Sequence, residues 1–144
     1  MERLHYFLMK AHTCLNREIL SRASALGLSP GQPKVLECLL HNGQSNQKSI
    51  AEFCEIEQAT VGSILFRMER DGLIFRTQYE RNRRALCVAL TPEGREKAEQ
   101  MEEIFQRADA QAVAGLSPEQ CQQLLTLLQA VCNSMEAPGK GMQK

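Results

Sequence analysis

Residues Glu57–Gly72 read EQATVGSILFRMERDG and run straight into Leu73–Gln78, LIFRTQ. Val61, Ile64, Leu65 and Met68 fall at i, i+3, i+4 and i+7, an apolar stripe that predicts a helix with one face on a core. The faces left over carry Gln58, Thr60, Ser63, Arg67 and Arg70. These are short polar and basic groups of the kind that bond to base edges and phosphates. Gly72 supplies the stop.

The residues on either side give this helix its setting. Leu73, Phe75 and Thr77 alternate with Ile74, Arg76 and Gln78, and Leu86, Val88 and Leu90 alternate with Ala85, Cys87 and Ala89. Period two on both sides of a charged loop predicts a hairpin. The loop holds Arg81, Arg83 and Arg84, whose planar guanidinium groups suit phosphates and a narrow minor groove. Upstream, Asn46 is expected to cap a helix over QKSIAEFCEI, with Ile50, Ala51, Phe53 and Cys54 inward. Two helices joined this tightly and followed by a basic hairpin predict a winged helix-turn-helix over about residues 30–91. The helix pair alone would equally fit a plain helical hairpin in a bundle core.

Helices are expected before and after this segment. Over residues 2–25, Leu4, Phe7, Leu8, Ala11, Leu15, Ile19 and Ala23 recur near helical spacing, and Gly27 ends the run. Ser29, Pro30 and Gln32 form a capping-box pattern that opens a helix carrying Val35, Leu36, Leu39 and Leu40, ending near Asn42-Gly43. Thr91-Pro92 opens another, with Ala98, Met101, Ile104, Phe105 and Ala108 on its apolar face. Ser117-Pro118 with Gln120 opens the last, where Cys121, Leu124, Leu125, Leu128, Val131, Cys132 and Met135 form a broad stripe. The tail after Glu136 is expected to fray. So long a stripe predicts that helices over about 2–25 and 92–136 face a second copy of the chain. The alternative is a stripe used wholly inside the subunit, against the first helix.

Length and composition bound the rest. At 144 residues and 16.2 kDa the chain is expected to be a single domain, residues 1–144, mainly α with a small β element. Net charge is zero, which argues against a uniformly basic surface. The charge is unevenly placed, however: Glu57–Arg84 holds six Arg against four acids, whereas Pro92–Glu136 holds three basic residues against eight acids. No apolar run nears the roughly 18 residues of a membrane span, and no signal-peptide pattern opens the chain, so a cytoplasmic protein is expected. Six scattered cysteines without a CxxC pair are expected to be reduced and buried. His5, His12 and His41 have no Ser, Cys or Asp partner at a catalytic spacing. No enzyme activity, metal or cofactor is therefore expected.

The stretches Asn46–Ala51 (NQKSIA), Ala59–Val61 (ATV), Met68–Ile74 (MERDGLI) and Leu90–Gly94 (LTPEG) together resemble the text of the MarR family of bacterial transcriptional regulators, over nearly the whole chain. The resemblance implies a homodimer held by its terminal helices, placing two recognition helices in successive major grooves of a pseudo-palindromic double-stranded operator. It points to Gln47, Gln58, Thr60, Ser63, Arg67, Arg81, Arg83 and Arg84 as DNA-binding residues. The family's wing commonly reads Asp-x-Arg-x-x-Arg; Arg81 and Arg84 match, but Tyr79 stands at the acidic position. Ser63 and Phe66 replace longer polar side chains, and Phe66 is expected to pack against a neighbouring element, the alternative being a thymine methyl. Relatives often bind phenolic or other lipophilic effectors between the dimer helices and the reading head, which points to Tyr6, Met9, His12, Thr13 and Cys38 as candidate walls. The expected function is a repressor released by such a ligand. The alternative is a redox-sensing regulator: the sensing cysteine of some relatives falls near His5 here, but Cys14, three residues before Arg17, could serve.

Overall fold

The computed structural model describes residues 3–79 and 82–142, with side chains described at 3–78 and 86–136. Along the chain run α1 (Leu4–Ala25), α2 (Gln32–Asn42), β1 (Ser45–Asn46), α3 (Gln47–Cys54), α4 (Gln58–Arg70), β2 (Ile74–Tyr79), β3 (Asn82–Leu90), α5 (Pro92–Ala112) and α6 (Pro118–Met142). The backbone divides into two compact units, residues 1–108 and 109–144. No helix among the described residues is long and apolar enough to cross a membrane.

In the first unit the chain changes direction through three identical helix endings. Leu28 N–H donates to Ala23 O at 3.1 Å and Gly27 N–H to Ser24 O at 3.0 Å. The same pair of bonds closes α3 (Ile56 to Ala51, Glu55 to Glu52) and α4 (Leu73 to Met68, Gly72 to Glu69). This arrangement requires a left-handed residue at its centre. Gly27 (φ 79°) and Gly72 (φ 78°) meet that need without strain, whereas Glu55 (φ 57°) meets it with a Cβ in place. Between these endings Leu36, Leu39, Ile50, Val61, Leu65, Met68, Ile74, Val88 and Met101 form one buried cluster. Val61, Leu65 and Met68 are fully buried and Ile64 packs against them, so the stripe read from α4 is its inner face.

The sheet has order β1-β3-β2 and is antiparallel throughout, with Ser45 opposite Val88 and Ile74 opposite Leu90. β1 corrects the expected two-stranded hairpin. At two residues it is too short to show a period, and it exists because β3 offers it an edge. Burial along β3 does not alternate either: Cys87 and Val88 are both buried, because β1, α2 and α3 crowd them, while Leu86 is exposed. Arg83 and Arg84 have their backbone in β3, where a loop was expected.

Helix starts follow the caps, with one shift. Asn46 Oδ1 accepts from Ser49 N–H at 2.8 Å, as expected. α2 begins at Gln32, not Pro30: Ser29 O and Gln32 N–H close a turn first, and Gln32 Oε1 reaches back to Ser29 N–H at 3.1 Å. On α3, Phe53 lies outside the core and is exposed. Only the C-terminal part of α1 joins the core, through Ala23 and Ile19, while Leu4, Phe7 and Met9 are exposed.

In the second unit, Ser117 Oγ accepts from Gln120 N–H at 3.1 Å and Gln120 Oε1 from Ser117 N–H at 2.9 Å, a complete capping box. The helix it opens runs to Met142, beyond the expected end at 136, since an established helix propagates more readily than it nucleates.

Glu55 carries a penalty a glycine would not. Glu55→Gly is expected to raise stability by about 1 kcal/mol in urea titration. A loss of stability would show that the turn does not depend on a left-handed residue there.

Candidate nucleic-acid interface

α3 and α4 are held to each other at their polar ends. Gln47 Nε2 donates to the carbonyl of Gln58 at 2.9 Å, across the turn between the helices. Gly62 makes room for it: a Cβ at 62 would stand 3.1 Å from Gln47 Nε2. Gln47 thus braces the turn, with its amide already engaged.

With Val61, Leu65 and Met68 committed to the core, α4 turns its opposite side outward. At 100° per residue Thr60, Ser63, Phe66, Arg67 and Arg70 fall within an arc of roughly 120°, and all are exposed. Gln58 is exposed at the helix start. Ser63 Oγ donates to Ala59 O at 3.4 Å, Arg70 Nε lies 3.3 Å from Asp71, and Arg76 Nε lies 3.8 Å from Glu69. Arg67 has no ion-pair partner among the described residues, so its charge is available at the surface. Phe66 is 67% exposed among the described residues, which goes against the expected packing on a neighbouring element. Its place off the apolar stripe was the signal that it belongs to the outer face. Of the wing arginines, Arg81 and the side chains of Arg83 and Arg84 lie outside the described residues.

A second feature is a cavity of about 300 Å³ in the first unit. Its apolar walls are Leu15, Ile19 and Leu20 of α1, Pro30 and Pro33 at the start of α2, and Phe105 of α5. His12, Asn16, Lys34 and Glu37 add polar groups. Of the five candidate ligand residues, His12 lines this space. Thr13 faces a groove along α1 with Arg17 and Ser21, Met9 is exposed, and Tyr6 stacks edge-on against Phe7 with Arg3 over its ring. Cys38 is buried in the core cluster. The walls that sequence reasoning missed follow His12 down one face of α1, at residues 15, 16 and 19.

A helix-turn-helix with a polar, basic outer face, set beside a three-stranded antiparallel sheet, defines the winged helix-turn-helix class. Residues 28–86 match the model of the MarR family. The chain is similar to the HTH-type transcriptional repressor IacR of Pseudomonas putida, 25% identical over 131 residues that make up 91% of this chain and 78% of that one. Its fold is shared with BpsR of Bordetella bronchiseptica, at a TM-score of 0.80 and 24% identity over 91% of this chain and 99% of that one. A mutant MarR of E. coli in complex with operator DNA has a TM-score of 0.81 and 19% identity, over 90% and 94% of the two chains. Over residues 28–86, the segment that holds the helix-turn-helix and most of the sheet, the chain is thus similar to the MarR family of transcriptional regulators.

The cysteines divide by burial. Cys38, Cys54 and Cys87 are buried, as expected, but Cys14 and Cys132 are exposed on their helices. Burial pushes the Cys54 thiol up to about 11, with Cys38 adding to the effect, and burial likewise raises Cys38. Neither is therefore a thiolate near neutral pH. A thiol raised on folding contributes its stability below the ordinary value of 9.0 and loses it as pH climbs toward about 11. Stability should accordingly fall over that alkaline window. Iodoacetamide at pH 8 is expected to label Cys14 in the native protein, and Cys38 and Cys54 only after unfolding. Native labelling of Cys54 would contradict this assignment.

Proposed function

We propose that the chain is a cytoplasmic repressor that binds a pseudo-palindromic double-stranded operator as a homodimer and is released by a small lipophilic or phenolic ligand. The observation that carries this reading is the outward face of α4, with Thr60, Ser63 and an unneutralised Arg67 side by side. IacR is named a transcriptional repressor, and the related MarR structure holds operator DNA. Dimerisation is supported by apolar side chains without cover: Phe7 is 61% exposed on α1, and Leu125 and Met135 are 63% and 76% exposed on α6.

The cavity supports the effector. About 300 Å³ with apolar walls fits a single-ring molecule, and His12, Asn16 and Lys34 offer donors to a hydroxyl or carboxylate on it. The BpsR structure concerns regulation of DNA binding by 6-hydroxynicotinic acid, a compound of that size and chemistry. A second reading, sensing by oxidation of Cys14, is favoured by its exposure and by Arg17 three residues on.

An operator selected from random DNA tests the first part. Arg67→Ala should weaken operator binding about 10- to 100-fold, and Arg81→Ala and Arg84→Ala should each lower the salt slope by about 1. Leu128→Glu should sediment as a folded monomer with much weaker operator binding. Wild-type protein that sediments as a monomer and protects one unrepeated half-site would sink the dimer reading.

For the effector, Leu20→Trp should fill the cavity while leaving operator binding intact and abolishing release by single-ring aromatic acids. Unchanged release would place the effector elsewhere.

A further inference from the structure

We propose that Glu37, His41 and Glu102 form a site for a first-row divalent cation, with zinc the best chemical match, that ties α2 to α5. Glu37 and His41 stand one turn apart on α2, and Glu102 reaches them from α5. One ligand atom from each lies within 4.8 Å of the other two. His41 Nε2 is already 2.9 Å from Glu102 Oε2. Around zinc, nitrogen and oxygen ligands at about 2.0–2.2 Å stand roughly 3.4 Å apart, so modest side-chain rotations close the set.

The backbones beneath do not need to move. Leu36 and Leu39 of α2 and Ala98 and Met101 of α5 belong to the same buried cluster, which presents the three ligands from fixed helices. The His41 and Glu102 side chains remain 50% and 29% exposed, so an ion can enter from solvent. One imidazole and two carboxylates are the donors that zinc and its neighbours take, while the absence of a thiolate from the set disfavours monovalent copper. Three protein ligands leave a fourth position for water. The inference is independent of the effector cavity, although Glu37 lines that cavity as well.

The test uses the full chain with CoCl2 and ZnCl2 as probes. One cobalt ion per chain should bind at micromolar concentration, with visible d–d bands and no thiolate charge-transfer band in the near ultraviolet. Zinc should displace it and raise the melting temperature by several degrees. His41→Ala and the isosteric Glu102→Gln should each weaken binding about tenfold or more and abolish the thermal shift. Cys14→Ser with Cys132→Ser should change neither. A thiolate band, unchanged affinity in Glu102→Gln, or no saturable binding below millimolar cobalt would overturn the proposal.

Discussion

Thr91 joins the end of α4, the close of the sheet and the start of α5 through one side chain. Its hydroxyl donates to Gly72 O at 2.6 Å and accepts from Gly94 N–H at 2.9 Å, while its own N–H donates to Leu73 O at 3.1 Å. The helix comes so close that a Cβ at Gly94 would collide with the Leu73 carbonyl. Gly72, just past α4, and Thr91, just before α5, are thus separated by 19 positions in sequence and joined by one hydroxyl in space. The orientation of α4 follows from this junction at its C-terminal end and from the bond between Gln47 and Gln58 at its N-terminal end.

A chain of zero net charge has little long-range field with which to draw in DNA. Binding must then rest on charges placed where contact occurs. Beside Arg67 two arginines have local acids, Asp71 for Arg70 of α4 and Glu69 for Arg76 of β2, in exposed pairs that contribute little. Arg67 carries no such pairing. The polar face is therefore selective in where it presents positive charge, which favours register over raw affinity.

What the sequence displayed was whatever repeats with a period or sits at a cap. The stripe of α4, the Asn46 cap, the Thr91-Pro92 start and the Ser117–Gln120 box were all legible, because each is a local pattern that tertiary packing reinforces. β1 was not, since two residues show no period and the strand depends on β3 for its existence. The exposure of Phe53 was not legible either: its ring falls among Ile50, Ala51 and Cys54, and only the packing decides how far the covered side of the helix extends. On the cavity side, His12 was found, but Pro30 with Pro33, and Phe105, come from two further stretches that only the fold brings to it.

These separated stretches meet on α2, which has two working faces. Val35, Leu36 and Leu39 face the cluster that also holds Val61, Leu65 and Met68 of α4. Pro33, Glu37 and His41, four residues apart in succession, face the other way, toward the cavity and toward Glu102 of α5. Anything that occupies the cavity meets one face of α2, whose other face is buried in the shared cluster and packs on α3 and β3. Interiors at crystal-like density transmit a displacement more readily than they absorb it. Under the function proposed above, an effector in the cavity would act on α4 through that shared cluster, not at the polar face that carries Arg67.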